Sequence, residues 1–330
     1  MTNPIMSFVL RSERGESVHL TAAVLIDPSG AAVLSAGLVD IPFFIRSTAK
    51  PYQAIALLAT GALEQFRLTE EDLAIACASH SGEPGHVEAV RAFMARAGVS
   101  EAALLCGPHF PYNRQAEEEL LRRGERPTAL HNNCSGKHAA FLAAARAMGA
   151  PLDGYLSPDH PVQQLILEHL QRLSGIEDIP VGVDGCSAPT FFLTLTLLAR
   201  LAQRLAAGDD PLLVPQFKAM VSNPFLVGGT GRFDTDFTTV MNGRAVAKEG
   251  AEGLQTVAIR GRKGRGWGLA LKVLDGSARP MGQVALEILK AFKLVGSAEL
   301  EQLAAHYRPA YTNRAGLKVG TLLTQLEPGP

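Results

Sequence analysis

The chain has 330 residues, of which 47% are hydrophobic and 19% are charged, and its formal net charge at pH 7 is −1. This length and composition fit a compact protein with a large core in one or two domains, and they leave little room for disorder. A charge this close to zero provides no field that would recruit nucleic acid or an anionic membrane. The N-terminus lacks the basic start and long apolar stretch of a signal peptide, and no segment approaches a transmembrane span. We therefore expect a cytoplasmic protein with no membrane or nucleic-acid partner, in which the four cysteines are reduced.

The first predicted elements are strands. Residues 17–26 have a strong β pattern, and residues 31–38 return as a partner after a turn at Asp27 to Gly30. The middle of the chain is predicted to be helical, because its apolar residues recur at helical spacing. The predicted helices cover residues 86–97, 115–123, 137–148, about 159–173, 211–221, and a long segment from a cap at 187–189 to about Gly208.

Strands are predicted to return at residues 238–247, around a turn at Asn242-Gly243, and again at 254–260 and 267–274. Helices at residues 283–294 and 298–306 are then predicted to close the chain. Strands at both ends predict an α+β fold, in which one antiparallel sheet is completed by the N- and C-terminal segments and contains an inserted helical region. We expect one domain over residues 1–330, with the sheet in about 1–45 and 238–330 and a mainly helical region in about 46–237.

Ser47 and Lys50 form a Ser-x-x-Lys pair where an apolar run leads into a helical pattern. A serine hydroxyl needs a base at neutral pH, and a neutral lysine one helical turn away can be that base. Lys248, in the sequence Lys248-Glu-Gly250, would disfavour protonation of Lys50 and could bind a second hydroxyl. Ser-x-x-Lys with a downstream Lys-Thr-Gly is the active-site layout of penicillin-recognising serine enzymes, so the pair indicates amide chemistry through an acyl-enzyme. An isolated match is also typical of a helix N-cap serine with a solvated lysine.

The segment from Ala78 to Glu83 contains the candidates for that second hydroxyl. Ser79 would relay a proton between Lys248 and the scissile amide, and Ser81 is the competing candidate. Without the other patterns, this small polar segment would be interpreted as an ordinary loop.

The segment from His131 to His138 is dense in reactive side chains and opens a helix. Cys134, with Lys137 or His138, and Cys186 elsewhere in the chain fit a zinc site of two thiolates and one nitrogen. From spacing alone His138 is the conventional nitrogen ligand, because a lysine must lose its proton to coordinate. Two alternatives stay open: both cysteines as small buried residues, and Cys134 as a nucleophile with His138 as its base.

The glycine-rich segment from Gly228 to Phe233 lacks the Gly-Lys-Ser/Thr ending of a phosphate-binding loop. It predicts an active-site loop or a tight turn. Arg232 is a candidate clamp for a substrate carboxylate, with a purely structural arginine as the alternative.

Six stretches of this chain, in this order, resemble those of the rhizobial-type (class 3, asparaginase II family) L-asparaginases. They cover the chain from roughly residue 5 to 325, and they are Arg46-Ser-Thr-Ala-Lys50-Pro, Ala78-Ser-His-Ser-Gly-Glu83, His131-Asn-Asn-Cys-Ser-Gly-Lys-His138, Asp184-Gly-Cys186, Gly228-Gly-Thr-Gly-Arg-Phe233 and Lys248-x-Gly-Ala-Glu-Gly253. Six ordered matches are far more specific than any single one.

The resemblance implies a serine-β-lactamase-like fold and hydrolysis of L-asparagine to L-aspartate and ammonia. It implies that Ser47 is the nucleophile with Lys50 as its partner, and that Ser79 and Lys248 form a second tandem. Homodimers are expected in this family.

The resemblance also implies one zinc ion per chain, held by Cys134, Lys137 and Cys186 and acting in substrate binding. In this respect it replaces the choice of His138 that spacing alone favours. Residues around the metal or the substrate would be Asp184, Arg46, His138 and Arg232. At Asp234 this chain differs from some relatives, which carry cysteine there.

Two other functions fit the same sequence. The first is a related Ser-Lys enzyme with another substrate, such as a glutaminase or another amidase or peptidase. The second is a non-catalytic, zinc-containing ligand-binding protein.

Overall fold

The structure is a computed structural model that describes residues 3–261 and 265–326. The strands of these residues are β1 (Ile5–Arg11), β2 (Arg14–Ile26), β3 (Ala32–Ala36), β4 (Pro42–Phe44), β5 (Val181–Val183), β6 (Pro189–Thr194), β7 (Ala245–Gly250), β8 (Leu254–Arg260), β9 (Gly266–Val273), β10 (Ala310–Thr312) and β11 (Lys318–Gln325). The first eight helices are α1 (Lys50–Gln53), α2 (Ile55–Ala59), α3 (Ala62–Gln65), α4 (Glu70–Ala76), α5 (Pro84–Ala97), α6 (Arg114–Arg122), α7 (Ser135–Ala147) and α8 (Pro161–Ser174). The others are α9 (Leu195–Ala207), α10 (Val214–Ser222), α11 (Pro224–Val227), α12 (Phe233–Val240), α13 (Met281–Ala291), α14 (Ser297–Gln302) and α15 (Ala304–Tyr307).

One large sheet brings the two ends of the described chain together. Its strand order is β10-β11-β1-β2-β9-β8-β7, with β3 paired to β2, and the pairings that we resolve are antiparallel. Strand β1 lies between β2 and β11, so that Phe8 is opposite both Val18 and Leu323. The predicted α+β class, with a sheet completed by both terminal segments and an inserted helical region, is confirmed.

The chain divides into two compact units. The first, which we call the sheet unit, consists of Met1–Thr48, Leu193–Ala207 and Val240–Pro330; the second, the helical unit, consists of Ala49–Phe192 and Gly208–Thr239. These boundaries lie within three residues of the predicted ones, except that the helix at 195–207 belongs to the sheet unit. The single domain expected over the whole chain stays a prediction.

In the sheet unit, the central strands are covered on both faces. Strand β8 is buried at every position except its last, and β9 at all but one, which is the pattern of strands packed on both sides. Helices α9 and α13 both contact these two strands. Helix α9 approaches so closely that a Cβ atom on Gly268 would lie 2.1 Å from the carbonyl oxygen of Ala199, so only glycine fits there.

In the helical unit, α7 is the central element. Its residues from Ser135 to Ala145 are all buried, and it contacts α2, α3, α4, α5 and α8. A Cβ atom on Gly136 would lie 2.1 Å from the carbonyl oxygen of Ile75 in α4. The glycine of the Cys-Ser-Gly-Lys sequence therefore lets the first turn of α7 pack against the helix that precedes Ser79.

Three predicted elements are wrong. The long helix predicted from 187–189 begins only at Leu195, because residues 189–194 form β6, paired to β5; their threonines and phenylalanines favour a strand. Residues 238–240 belong to α12, not to a hairpin, and the Asn242-Gly243 turn joins that helix to β7. Strands β10 and β11, not helices, close the described chain.

The basic residues Arg260, Arg262, Lys263 and Arg265 are interleaved with glycines between two strand patterns, which predicts a solvated hairpin turn. Residues 262–264 of this segment lie outside the described part of the chain. None of the helices in the described residues is long and apolar enough to span a membrane.

Candidate functional site

Ser47 lies in a tight turn of the sheet unit. The turn is a 3₁₀ helix over Arg46–Ala49, in which the backbone N–H of Thr48 donates to the carbonyl oxygen of Ile45 at 3.1 Å. Arg46 has a φ of +47°, a left-handed conformation that costs energy for a residue with a Cβ atom and that recurs at functional sites. Ser47 is half-buried.

Lys248 lies on β7 in the same unit. The side chain is buried, and its Nζ atom donates to the carbonyl oxygen of Glu249 at 2.7 Å. The end of β7 packs against the Ser47 turn, since a Cβ atom on Gly250 would lie 3.1 Å from Cγ2 of Thr48. The sheet unit thus brings the Lys248-Glu-Gly250 sequence next to the turn that contains Ser47.

Lys50 is the first residue of α1 and lies in the helical unit, fully buried. Its Nζ atom donates to the carbonyl oxygens of Ala78 at 2.6 Å and Asn133 at 3.2 Å. The same atom lies 2.9 Å from Oγ of Ser79. Of the two candidate hydroxyls at 79 and 81, the one that contacts this lysine is therefore that of Ser79.

The surroundings of Nζ shift the pKa of Lys50. Besides these three oxygens, Nζ has a hydrogen bond with Cys134. Burial is the main reason why the pKa of Lys50 lies below its ordinary value; the sulfur of Cys134 opposes this shift, and the Lys137 ammonium adds to it. This shift favours the neutral amine, which is the form that can accept a proton from a hydroxyl.

The loop that contains Ser79 is held on both sides. His80 is buried; its Nε2 lies 2.9 Å from Oγ of Ser135, and its Nδ1 accepts from the backbone N–H of Gly82 at 3.2 Å. Because the Ser135 hydroxyl donates to the carbonyl of Leu130, the proton between them must come from His80. Burial is the main reason why the pKa of His80 lies well below its ordinary value, so the ring is neutral.

The glycine-rich segment from 228 to 233 closes on the same loop. Thr230 donates to the Glu83 carboxylate through its backbone N–H at 2.8 Å and its hydroxyl at 2.7 Å. Ser81 donates to the carbonyl oxygen of Gly228 at 3.0 Å, and a guanidinium nitrogen of Arg232 lies 3.4 Å from the Ser81 hydroxyl. Of the two interpretations offered by the sequence, these contacts favour a tight turn over a mobile loop.

Two cysteines and a lysine form the second cluster of the helical unit. Lys137 Nζ lies 3.2 Å from Sγ of Cys186, and Cys134 shares a hydrogen bond with Cys186. All three side chains are buried. The chain positions Cys186 with a turn in which the N–H of Ser187 donates to the carbonyl of Asp184 at 2.9 Å.

This cluster carries opposite charges in contact. The hydrogen bond from Cys186 is the main reason why the pKa of Cys134 lies well below its ordinary value, and the same bond raises the pKa of Cys186. The bond between the two sulfurs thus favours the thiolate at Cys134 and the thiol at Cys186. Burial alone would lower the pKa of Lys137, but the two sulfurs and the Asp184 carboxylate outweigh it and raise that pKa.

This donor set fits a metal cation. Two sulfurs and one amine in contact offer the soft and borderline ligands that zinc prefers, provided that the remaining thiol and ammonium protons leave. Within the described chain, no three histidine, cysteine, aspartate or glutamate side chains gather at another possible metal position.

The Nδ1 atom of His138 contacts the hydroxyl group of Tyr155. Tyr155 accepts at its hydroxyl oxygen from the N–H of Leu105 at 2.9 Å and lies 2.7 Å from Nδ1 of His138. The other ring nitrogen, Nε2, is buried and has no hydrogen-bond partner among the described residues. The assignment of Lys137, not His138, as the nitrogen ligand stays a prediction.

Sequence reasoning missed the groups that hold Lys50 and Ser79. The carbonyl oxygens of Ala78 and Asn133 are main-chain atoms, which every residue has, so the sequence does not distinguish them. His80 lay inside a recognised stretch, but nothing in its spacing indicated that it braces the loop. His109, which contacts Asn133, lay outside every stretch considered.

The comparisons with known proteins agree with the family that the sequence pattern suggests. A family model described as L-asparaginase II matches residues 8–324. No curated protein matches the chain.

Among solved structures, the chain is similar to Mglu in its native form in 4.3 M NaCl, with 16% identity over 85% of this chain and 62% of that one and a TM-score of 0.46. It is also similar to a β-lactamase from Burkholderia ambifaria (16% identity, 84% and 96% covered, TM-score 0.39) and to a Bacillus glutaminase (12% identity, 83% and 91% covered, TM-score 0.36). The chain thus spans less than two thirds of the length of Mglu. Since these TM-scores lie below 0.5, the fold assignment rests on the chain's own strand order.

Proposed function

Because this chain belongs to the L-asparaginase II family, we propose that it is an amidohydrolase that converts L-asparagine to L-aspartate and ammonia. One observation supports the proposal beyond the family match: Nζ of the fully buried Lys50, whose pKa is lowered, lies 2.9 Å from the hydroxyl of Ser79, the predicted proton relay. Few arrangements of ordinary side chains make a serine reactive at neutral pH, and a neutral lysine base is one of them.

In the proposed reaction, Ser47 is the nucleophile and Lys50, three residues further along the chain, is its base. Ser47 attacks the side-chain amide carbon of the substrate and forms a tetrahedral intermediate. Ammonia leaves after it is protonated through Ser79, and water then hydrolyses the aspartyl ester. Lys248 serves as the partner of Ser79 in the second Ser-Lys tandem.

The magnitude of the required pKa change is reasonable. A free lysine has a pKa of about 10.4, so a base that works near neutrality needs a drop of roughly two to three units. Full burial can supply a shift of this size.

We also propose that Cys134, Lys137 and Cys186 hold one zinc ion, with Asp184 outside the ligand set. The bound cation would supply positive charge that binds and orients the substrate, with Arg46, Arg232 and His138 as further contacts. Elemental analysis of the purified protein tests the assignment, with one zinc per chain as the expected result. Zinc that survives replacement of both cysteines by alanine would refute it.

A cytoplasmic homodimer without nucleic-acid or membrane partners remains part of the proposal, on the basis of the sequence and the family. Sedimentation of the purified chain would test the dimer.

A substrate panel tests the proposed activity most simply. We expect ammonia release from L-asparagine to exceed that from L-glutamine and from simple peptide amides at equal concentration. A preference for glutamine would keep the Ser-Lys chemistry and replace the substrate. No release from any amide would leave the non-catalytic zinc-containing protein as the better description.

A further inference from the structure

His109 is linked to Lys50 through a single residue. The Nε2 atom of His109 accepts a hydrogen bond from the backbone N–H of Asn133 at 2.9 Å. The carbonyl oxygen of the same Asn133 accepts from Nζ of Lys50 at 3.2 Å. The histidine ring and the lysine amine therefore hold a single residue from its two backbone polar groups.

The tautomer of His109 is fixed by its other nitrogen. Nδ1 lies 2.7 Å from the carbonyl oxygen of Phe110, which can only accept, so Nδ1 carries the proton and Nε2 keeps its lone pair. The ring also stacks on Tyr112, with centroids 4.7 Å apart and an interplanar angle of 20°. Both features hold the acceptor of His109 towards Asn133.

The segment that contains His109 is fastened at both ends to the loops near Lys50. The side-chain amide of Asn132 donates to the carbonyls of Cys106 and Gly107, each at 2.9 Å. At the other end, the backbone N–H of Asn113 donates to the carbonyl of Ser81 at 3.2 Å. His109 is thus the central contact of a segment that is anchored on the 131–134 loop and the Ser79 loop.

We propose that His109 is a positioning residue, which holds the Asn133 carbonyl against Nζ of Lys50 through the Asn133 backbone. The inference rests on the proposed function, since it concerns the same lysine base. The contacts of Nζ with Ala78, Ser79, Asn133 and Cys134 fix the position of the amine. If Asn133 shifts, Nζ loses one of these contacts and moves relative to the reacting hydroxyl. Misdirection of a base lowers the rate of proton transfer without removing any group that binds substrate.

Two substitutions at His109 separate the effect of its hydrogen-bond acceptor from the effect of its aromatic ring. His109→Phe keeps an aromatic ring on Tyr112 but removes the acceptor, whereas His109→Gln keeps an acceptor at a similar reach and removes the ring. Tyr112→Ala is the matched control, because it loses the stacking and leaves His109 its acceptor. The assay is ammonia release by the full chain, with kcat and KM determined separately and the melting temperature measured for each variant.

We expect His109→Phe to lower kcat about tenfold, as befits a loss of about 1.4 kcal/mol, with KM within about twofold of wild type. His109→Gln should recover most of the lost kcat, and Tyr112→Ala should stay close to wild type. Amide hydrogen exchange in the peptide that contains Asn133 should accelerate in His109→Phe and not in His109→Gln. This exchange does not depend on catalysis.

Different results would overturn the role of His109 and the proposed function. Wild-type kcat in His109→Phe, with activity that still depends on Ser47 and Lys50, would overturn the role of His109 alone. An equal loss of kcat in all three variants would also overturn it, because that result indicates a displaced segment. A wild-type protein that is inert on every amide would overturn the proposed function together with this role.

Discussion

At the scale of single residues, the chemistry depends on how one lysine is surrounded. Lys50 is fully buried, and carbonyls from two different loops accept hydrogen bonds from its amine. Burial disfavours the charged form of the amine, and the neighbouring Cys134 sulfur opposes this effect. The same nitrogen contacts the hydroxyl of Ser79.

Replacing Lys50 by methionine should abolish the activity and keep the fold. Methionine has a similar length but no base, so we expect kcat to fall by about 10²- to 10⁴-fold, the usual contribution of a general base. Two unpaired carbonyls should each cost about 1–3 kcal/mol of unfolding free energy, which a denaturant titration would detect.

Lys218→Met provides the control for this experiment. Lys218 forms an exposed ion pair with Glu70, with 68% of its side chain accessible, and such pairs contribute about 0–1 kcal/mol. Activity in Lys218→Met should match wild type. If Lys50→Met behaves in the same way, Lys50 is not the base.

At the scale of elements, the first turn of α7 positions the cysteine and lysine cluster. The turn directly follows Cys134 and contains Lys137. The close approach of Gly136 to Ile75 sets the distance between this turn and α4. The same α4 leads into Cys77 and the Ser79 loop. Gly136 thus sets the spacing between the cysteine and lysine cluster and the loop that contains Ser79.

Gly136→Ala should damage both stability and the cluster. Its Cβ atom would lie 2.1 Å from a backbone oxygen, so the helices must separate, and we expect a loss of about 3 kcal/mol in unfolding free energy. Zinc content should fall with it, since Lys137 moves with the turn. Gly15→Ala is the control, because no atom lies within 4 Å of its Cβ position, and it should change stability by less than about 0.5 kcal/mol. Equal stability of the two variants would contradict the packing argument.

The sequence predicted elements well where one periodicity was clear. Strand β8 was predicted with its observed bounds, and α5 and α7 to within two residues. The failure at β6 has a physical reason: an apolar run that is buried as a strand looks the same as one buried as a helix. Only the pairing with β5, a long-range contact, decides between the two.

The candidate site was likewise predictable only in part. Side chains with reactive chemistry, such as Lys50, Ser79 and Cys134, stood out by residue type and spacing. The sequence could not reveal that Ala78 and Asn133 offer carbonyls to Lys50, because every residue carries a carbonyl. Nor could it place His109, whose role follows only from a loop conformation that brings it to Asn133.

At the scale of the whole molecule, buried neutral histidines link stability to pH. His80 and His86 are buried with their rings stacked at 5.1 Å, and burial is the main reason why both have pKa values below the ordinary value of a histidine. For both rings, Nδ1 accepts a backbone N–H, from Gly82 and Glu83, so a second ring proton would break these bonds.

The sign of the effect follows from the depressed pKa values. Below about pH 6.5 these histidines bind protons in the unfolded chain but not in the folded chain. The free energy of unfolding must therefore decrease as the pH falls. We expect the denaturant midpoint to be lower at pH 5 than at pH 7. His80→Gln should make this difference smaller, whatever it does to the stability at pH 7. An unchanged difference would show that His80 does not contribute.

The four predicted catalytic residues are divided between the two units, with Ser47 and Lys248 in the sheet unit and Lys50 and Ser79 in the helical unit. The central claim is that Ser47 is the nucleophile of an amide hydrolase. The most direct test is ammonia release from L-asparagine by the wild-type protein and by Ser47→Ala at equal concentration. We predict turnover by the wild type that vanishes in the variant; activity that survives in Ser47→Ala would contradict the claim and indicate Cys134 as the nucleophile.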